Sequence, residues 1–130
     1  MMKNSKKAKP IVQLPAQQPI VTIMVNEQAV MQYDRNKAPS KEQFDYIDSM
    51  DKQMDEGVEL GGTLHKKPDP IVKSQFVAQH LLMALAAKNY SLAAAMCTWL
   101  SERLPELIRV QATGSLTNNM KVDLVFARQN

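Results

Sequence analysis

Thirty-five consecutive residues, Pro70 to Leu104, are too apolar for the length of chain that carries them. They read as two helices in succession. In the first, Pro70 to Lys88, the larger polar side chains form two thin lines, Lys73 with His80 and Gln75 with Gln79. Almost everything between is Ile, Val, Leu, Phe, Met or Ala. A helix apolar nearly all round is either buried in a large core or covered by a partner. A chain of 130 residues has little core to offer, so the pattern points to self-association or to a protein partner.

The ends of these helices are marked. Asp69 is an N-cap and Pro70 fits the first helical position. Lys88-Asn89-Tyr90 reads as a short turn with Asn89 in the left-handed conformation. Ser91 then caps a second helix that Pro105 stops. Leu92, Met96, Trp99, Leu100 and Leu104 make its inner face, and Ala93, Ala94 and Ala95 are small enough to let a neighbouring backbone approach.

Around this pair the periodicity changes. Pro19 to Val25 (PIVTIMV) is rich in β-branched residues and apolar on both faces, as a covered strand is. Asn26-Glu27 fits a two-residue hairpin turn, because Asn tolerates positive φ. The return strand runs from Gln28 to Tyr33. A helix then starts at Ser40, whose spacing to Gln43 is that of a capping box. Phe44, Ile47, Met50 and Met54 share one stripe of it, and Gly57 ends it. Residues 59–68 read as a loop around Gly61-Gly62. From Leu107 to Arg128, Ile108, Val110 and Ala112, and then Met120, Val122, Leu124 and Phe126, alternate with polar residues on either side of a turn-rich Thr113 to Asn119. That is a half-buried antiparallel hairpin. The fold class expected is α+β: an antiparallel sheet of about four strands, from the N-terminal and C-terminal hairpins, packed against three helices. Residues 1–18, dominated by Lys, Pro and Gln, are expected to be a disordered basic arm before a single domain over 19–130.

The net charge of +3 is a property of that arm. Lys3, Lys6, Lys7 and Lys9 supply +4, leaving the other residues at −1; eight of the 13 acids lie between Asp34 and Glu59. The arm is a candidate nucleic-acid contact through phosphates, but it has no arginine or aromatic for bidentate readout or stacking. The longest apolar run, Leu81 to Ala87, is far short of a membrane span. No apolar segment of signal-peptide length follows the lysines, so a cytoplasmic, non-membrane protein is expected.

Catalytic and metal constellations are weak. Asp48, Asp51 and Asp55 fall on one edge of a helix, where a solvated face is the ordinary reading and a Mg²⁺ or Ca²⁺ site the sharp one. Asp51 lies at the edge of the apolar stripe, as if directed at a basic partner. His65, His80 and Cys97 match no zinc spacing. Cys97, among Ala, Met and Trp, reads as an inert buried thiol rather than a nucleophile paired with His80. Gly61 to Lys67 precedes a helix and has the flavour of an anion loop but lacks the P-loop ending. No cofactor is expected.

The function expected is therefore a non-catalytic protein-interaction module, accessory or regulatory, homodimeric through its apolar helices. Phe76, Gln79, His80, Leu82 and Met83 are the expected partner interface. The alternatives are nucleic-acid binding through Lys3, Lys6, Lys7 and Lys9, and a small-ligand or metal-dependent enzyme using loop 59–69 and the acidic helix.

Overall fold

The computed structural model describes residues 19–37, 39–115 and 118–127. Strand β1 (Ile20–Val25) turns into β2 (Gln28–Asp34) through Asn26 and Glu27, both at positive φ (49° and 70°). Positive φ at both central residues is what a tight hairpin turn matched to strand twist demands. Helix α1 (Lys41–Asp55) follows. Its capping box is complete: Gln43 N–H donates to Ser40 Oγ, and Ser40 N–H donates to the Gln43 side chain.

Residues 58–65, which overlap the expected loop 59–68, form a second hairpin. β3 (Val58–Leu60) pairs with β4 (Thr63–His65) across Gly61 and Gly62, at φ 60° and 81°. The two glycines therefore supply a hairpin turn rather than an open anion loop.

Helix α2 (Pro70–Ala86) starts as expected, with Asp69 accepting from Val72 N–H. The junction to α3 (Tyr90–Arg103) is displaced from its expected position. Lys88 takes the left-handed conformation (φ 59°), and Asn89 is the N-cap, its side chain accepting from Leu92 N–H. The Asn side chain is better used as a cap acceptor than as the turn residue, and Ser91 falls inside the helix. Strands β5 (Leu107–Ser115) and β6 (Asn118–Phe126) are the last described elements and run further into the expected turn than their sequence suggests.

The two terminal hairpins share one sheet, in the order β2-β1-β5-β6. The hairpins are antiparallel, but their junction is parallel: Thr22 stands beside Arg109 and Val25 beside Ala112. The expected four-stranded α+β sheet is thus present and mostly antiparallel, with one parallel junction between its two hairpins. The intervening helices provide the long crossover that a parallel neighbour needs. Asn26 fixes the junction. Its backbone N–H donates to Ala112 O, its side-chain amide donates to Gly114 O at 2.9 Å, and Gly114 N–H donates back at 2.9 Å. A second tie is Arg35, whose guanidinium donates to the carbonyls of Leu104 and Leu107 where α3 passes into β5.

The core lies on one face of the sheet. Val21, Ile23, Val110, Ala112 and Val122 point to the helices and are buried. The alternate positions Thr22, Gln32, Arg109, Gln111, Lys121 and Asp123 make the other face. The helix swallowed by the core is α3, not α2: every residue from Met96 to Ser101 is buried. Thr98 satisfies its hydroxyl on Ala94 O and the Tyr33 hydroxyl. Helix α1 packs on α3, burying Ile47 and Met54, while Phe44, expected in the same stripe, is 39% exposed.

Candidate functional site

The apolar surplus of α2 is not all buried. Among the described residues, three clefts border it. The first, of about 300 Å³, lies where α1, the start of β3, α2 and α3 meet. Tyr46, Met50 and Met54 come from α1, Phe76, Val77 and His80 from α2, and Leu92 and Met96 from α3; Gln53, Gly57 and Val58 complete the lining. Three methionines give it adaptable walls.

Polar ties hold those walls in place. Trp99 Nε1–H donates to Asp51 at 2.8 Å, and Arg103 donates to Asp51 through Nε at 2.9 Å and to Asp48 at 3.0 Å. Burial by itself would lower the Arg103 pKa, but the hydrogen bonds and charges of Asp51 and Asp48 outweigh it and hold the guanidinium above its usual value. Lys73 reaches Asp55 at 2.6 Å, linking α1 to α2. The acidic edge of α1 is thereby engaged by Trp99, Arg103 and Lys73 of the same chain. Among the described residues no group of three His, Cys, Asp or Glu side chains is placed to hold a metal ion.

Phe76 and His80 sit one turn apart on α2 with ring centroids 4.2 Å apart, tilted by 40°. His80 Nδ1 is 2.9 Å from Phe76 O. A carbonyl only accepts, so Nδ1 carries the hydrogen, and a neutral ring keeps Nε2 as an acceptor. The cleft thus offers a soft apolar surface with an aromatic pair and an imidazole at its border.

The five expected interface residues divide. Phe76 and His80 enter this cleft. Leu82, 3% exposed, is a core residue that reaches a second cleft of about 550 Å³, between α2 and the turn end of the sheet, with Val25, Leu85, Tyr90 and Met120. Met83 stands out in solvent at 58% exposure, and Gln79 is half-buried. The third cleft, about 370 Å³, separates the N-terminal turn of α2 from β6. Sequence reasoning missed Tyr46, Leu92 and Met96 as site residues. Leu92 and Met96 read from sequence as inner-face residues of their helix, and Tyr46 carries no signal beyond being an aromatic outside the apolar stripe of α1.

The other candidates resolve simply. Cys97 is buried and its thiol is pushed up to about 12 by desolvation, far from the thiolate that nucleophilic chemistry needs. His65 lies in β4 opposite Val58. Lys3, Lys6, Lys7 and Lys9 lie outside the described residues. No helix among the described residues is long and apolar enough to cross a membrane. No known protein family, no curated protein and no solved structure matches this chain.

Proposed function

We propose that the chain is a small protein-interaction module that receives an apolar anchor side chain of another protein in the cleft between α1, α2 and α3. The observation that carries this reading is the lining itself: Met50, Met54, Met96 and the tilted Phe76–His80 ring pair around about 300 Å³. That volume is at the small end for ligand pockets and suits one large side chain rather than a cofactor. Adaptable methionine walls favour peptide segments, which a flexible thioether surface can repack around. Beside the cleft, α2 presents the half-buried Gln79 and the exposed Met83, which extend the surface that a helix or strand of the partner would cover.

The test is selection of peptides from a random displayed library on the full chain. Enriched peptides should share a large apolar residue. Losing the anchor pocket should cost about 2 kcal/mol, so Tyr46→Lys, at an exposed position, should weaken binding by roughly thirtyfold. No enrichment, or peptides that bind Tyr46→Lys equally well, would defeat the proposal. The enzyme reading has less support, because the residues it relied on are occupied: Asp48, Asp51 and Asp55 by cations or Trp99, and Gly61-Gly62 by a hairpin turn.

A further inference from the structure

The outer strand β6 is nine residues long and, among the described residues, forms one edge of the sheet. A long edge strand exposes a row of backbone donors and acceptors that invites pairing with another chain. Which groups face outward follows from one bond. Ala127 N–H donates to Glu106 O at 2.7 Å. By strand alternation, the backbone groups of Val125, Asp123 and Lys121 then turn toward β5, and those of Met120, Val122, Leu124 and Phe126 turn away from it.

The side chains of this edge are self-complementary. Place a second copy of β6 antiparallel to the first about a twofold axis through Val122. Val122 then meets Val122 of the second copy, Met120 meets Leu124, and Lys121 meets Asp123. Both charged residues are exposed on the open face of the sheet. The axis relates the pairs, so two opposite-charge contacts form, and about six backbone hydrogen bonds close between the copies. Moving the axis by one residue either way sets Lys121 against Lys121 or Asp123 against Asp123, which is unfavourable. The same edge carries exposed apolar groups on the helix side. Phe126 is 44% exposed and Ile71 is 73% exposed, and both border the cleft between α2 and β6.

We infer that β6 is a homodimerisation edge, pairing antiparallel with β6 of a second copy in the register that sets Lys121 opposite Asp123. Two four-stranded sheets join into one of eight. Helix α2 follows β6 in the opposite direction, since Phe126 lies near Pro70 and Ile71, and Met120 near Leu85 and Ala86. The twofold axis therefore brings the two α2 helices side by side and antiparallel, and the interface is isologous, as closed dimers require. Self-association is thus assigned to the sheet edge first and to the flank of α2 second, not to the helices alone.

The experiment is light scattering after size-exclusion chromatography, over a hundredfold range of concentration, on the full chain and three variants: Lys121→Asp, Asp123→Lys and the double swap. Both positions are exposed, so folding is expected to survive, and circular dichroism checks it. The native chain should run at twice 14.6 kDa. Each single reversal sets like charges together at two symmetric positions and should weaken the dimer by roughly tenfold or more. The double swap should restore it, because the same register then sets the exchanged charges opposite each other in the same geometry. A second readout fixes the register: the double variant Lys121→Cys with Asp123→Cys should give a covalent dimer under mild oxidation, whereas Lys121→Cys alone should not. A monomeric native chain, single reversals that dimerise like the native protein, or a double swap no better than the singles would each overturn the inference. In such a case Lys121 and Asp123 act as guards that keep the edge unpaired.

Discussion

Asp51→Ala removes one carboxylate that serves two partners, and its cost is set by the more buried of them. Trp99 is 2% exposed and its indole N–H donates to Asp51 at 2.8 Å. Truncating Asp51 leaves that donor buried without an acceptor, which costs about 1–3 kcal/mol. Arg103 is partly exposed and keeps Asp48 at 3.0 Å, so losing its Asp51 contact adds only about 0.5 kcal/mol. The expected loss is about 2–3 kcal/mol by urea denaturation, or a fall in Tm of roughly 8–12 °C for a domain of this size. Asp51→Asn keeps an oxygen for the indole and should cost about 1 kcal/mol. The two effects separate with salt. An exposed ion pair is screened at 1 M salt, whereas a buried orphan donor is not, so the Asp51→Ala deficit should persist at high salt. Trp99→Phe removes the donor, and in that background Asp51→Ala should cost about 1–2 kcal/mol less. A deficit that vanishes at 1 M salt, or an unchanged cost in the Trp99→Phe background, would refute the assignment to the buried indole.

Two further outcomes are expected. Asn26→Gly keeps the left-handed turn conformation but loses both amide contacts to Gly114, and should cost about 1–2 kcal/mol. Asn26→Ala also meets the steric penalty of positive φ and should cost about 1 kcal/mol more; chemical denaturation of the two variants checks the order, and equal stabilities would show that the turn carries no strain. Cys97 has its folded pKa raised to about 12 from 9.0. The unfolded thiol therefore loses its proton first, so this group's contribution is complete below about pH 9 and falls as pH rises from there toward 12, by about 1.4 kcal/mol per unit. Cys97→Ser should flatten that alkaline slope, and the native thiol should resist alkylation at pH 8 until the protein is unfolded.

What was legible in the sequence was what the chain decides locally. The Ser40–Gln43 capping box, the Asp69-Pro70 start of α2 and the Asn26-Glu27 turn each involve groups within three positions of one another, and each is in the structure. The alternation of Val110 and Ala112, and of Val122 and Leu124, shows strands in the same way, but strand periodicity does not name a neighbour. The parallel junction of β1 with β5 rests instead on Asn26 reaching Gly114 and Arg35 reaching Leu107, contacts between residues more than seventy positions apart. The choice of central helix was also hidden. Mean apolarity favours α2, yet every residue of α3 from Met96 to Ser101 is buried, with α2 and α1 packed on it and Thr98 bonded to Tyr33 of the sheet. Of the candidate site, Phe76 and His80 could be read from α2 alone. Tyr46, Leu92 and Met96 could not, since only the packing of three helices brings them together. Asp51 was expected to face a basic partner, and Arg103 is that partner within the chain.

The anchor cleft and the β6 edge lie on opposite flanks of one helix, and this gives the apolar excess of α2 a single explanation. Ile71 and His80 are nine positions apart, which is half a turn on the helix wheel. Ile71 borders the cleft beside β6, and His80 borders the cleft between α1 and α3. The side of α2 between them, with Val77, Ala78 and Leu81, is taken up by the core. On the two proposals together, α2 buries one side against its own sheet, would offer a second flank to an identical chain and a third to a partner, and so has little circumference left for polar residues. Gln79 and Met83 lie on what remains, while Lys73 is tied to Asp55 and His80 lines the cleft with its ring tilted against Phe76. Because the proposed dimer edge and the proposed anchor cleft do not overlap, pairing through β6 would leave both clefts open, one per subunit and related by the twofold axis. Such a dimer is bivalent. A partner with two anchor segments on a linker matched to the span would gain avidity of about a hundredfold or more over a single segment, and the Lys121→Asp variant, with its anchor cleft untouched, should lose that gain while keeping its affinity for one segment.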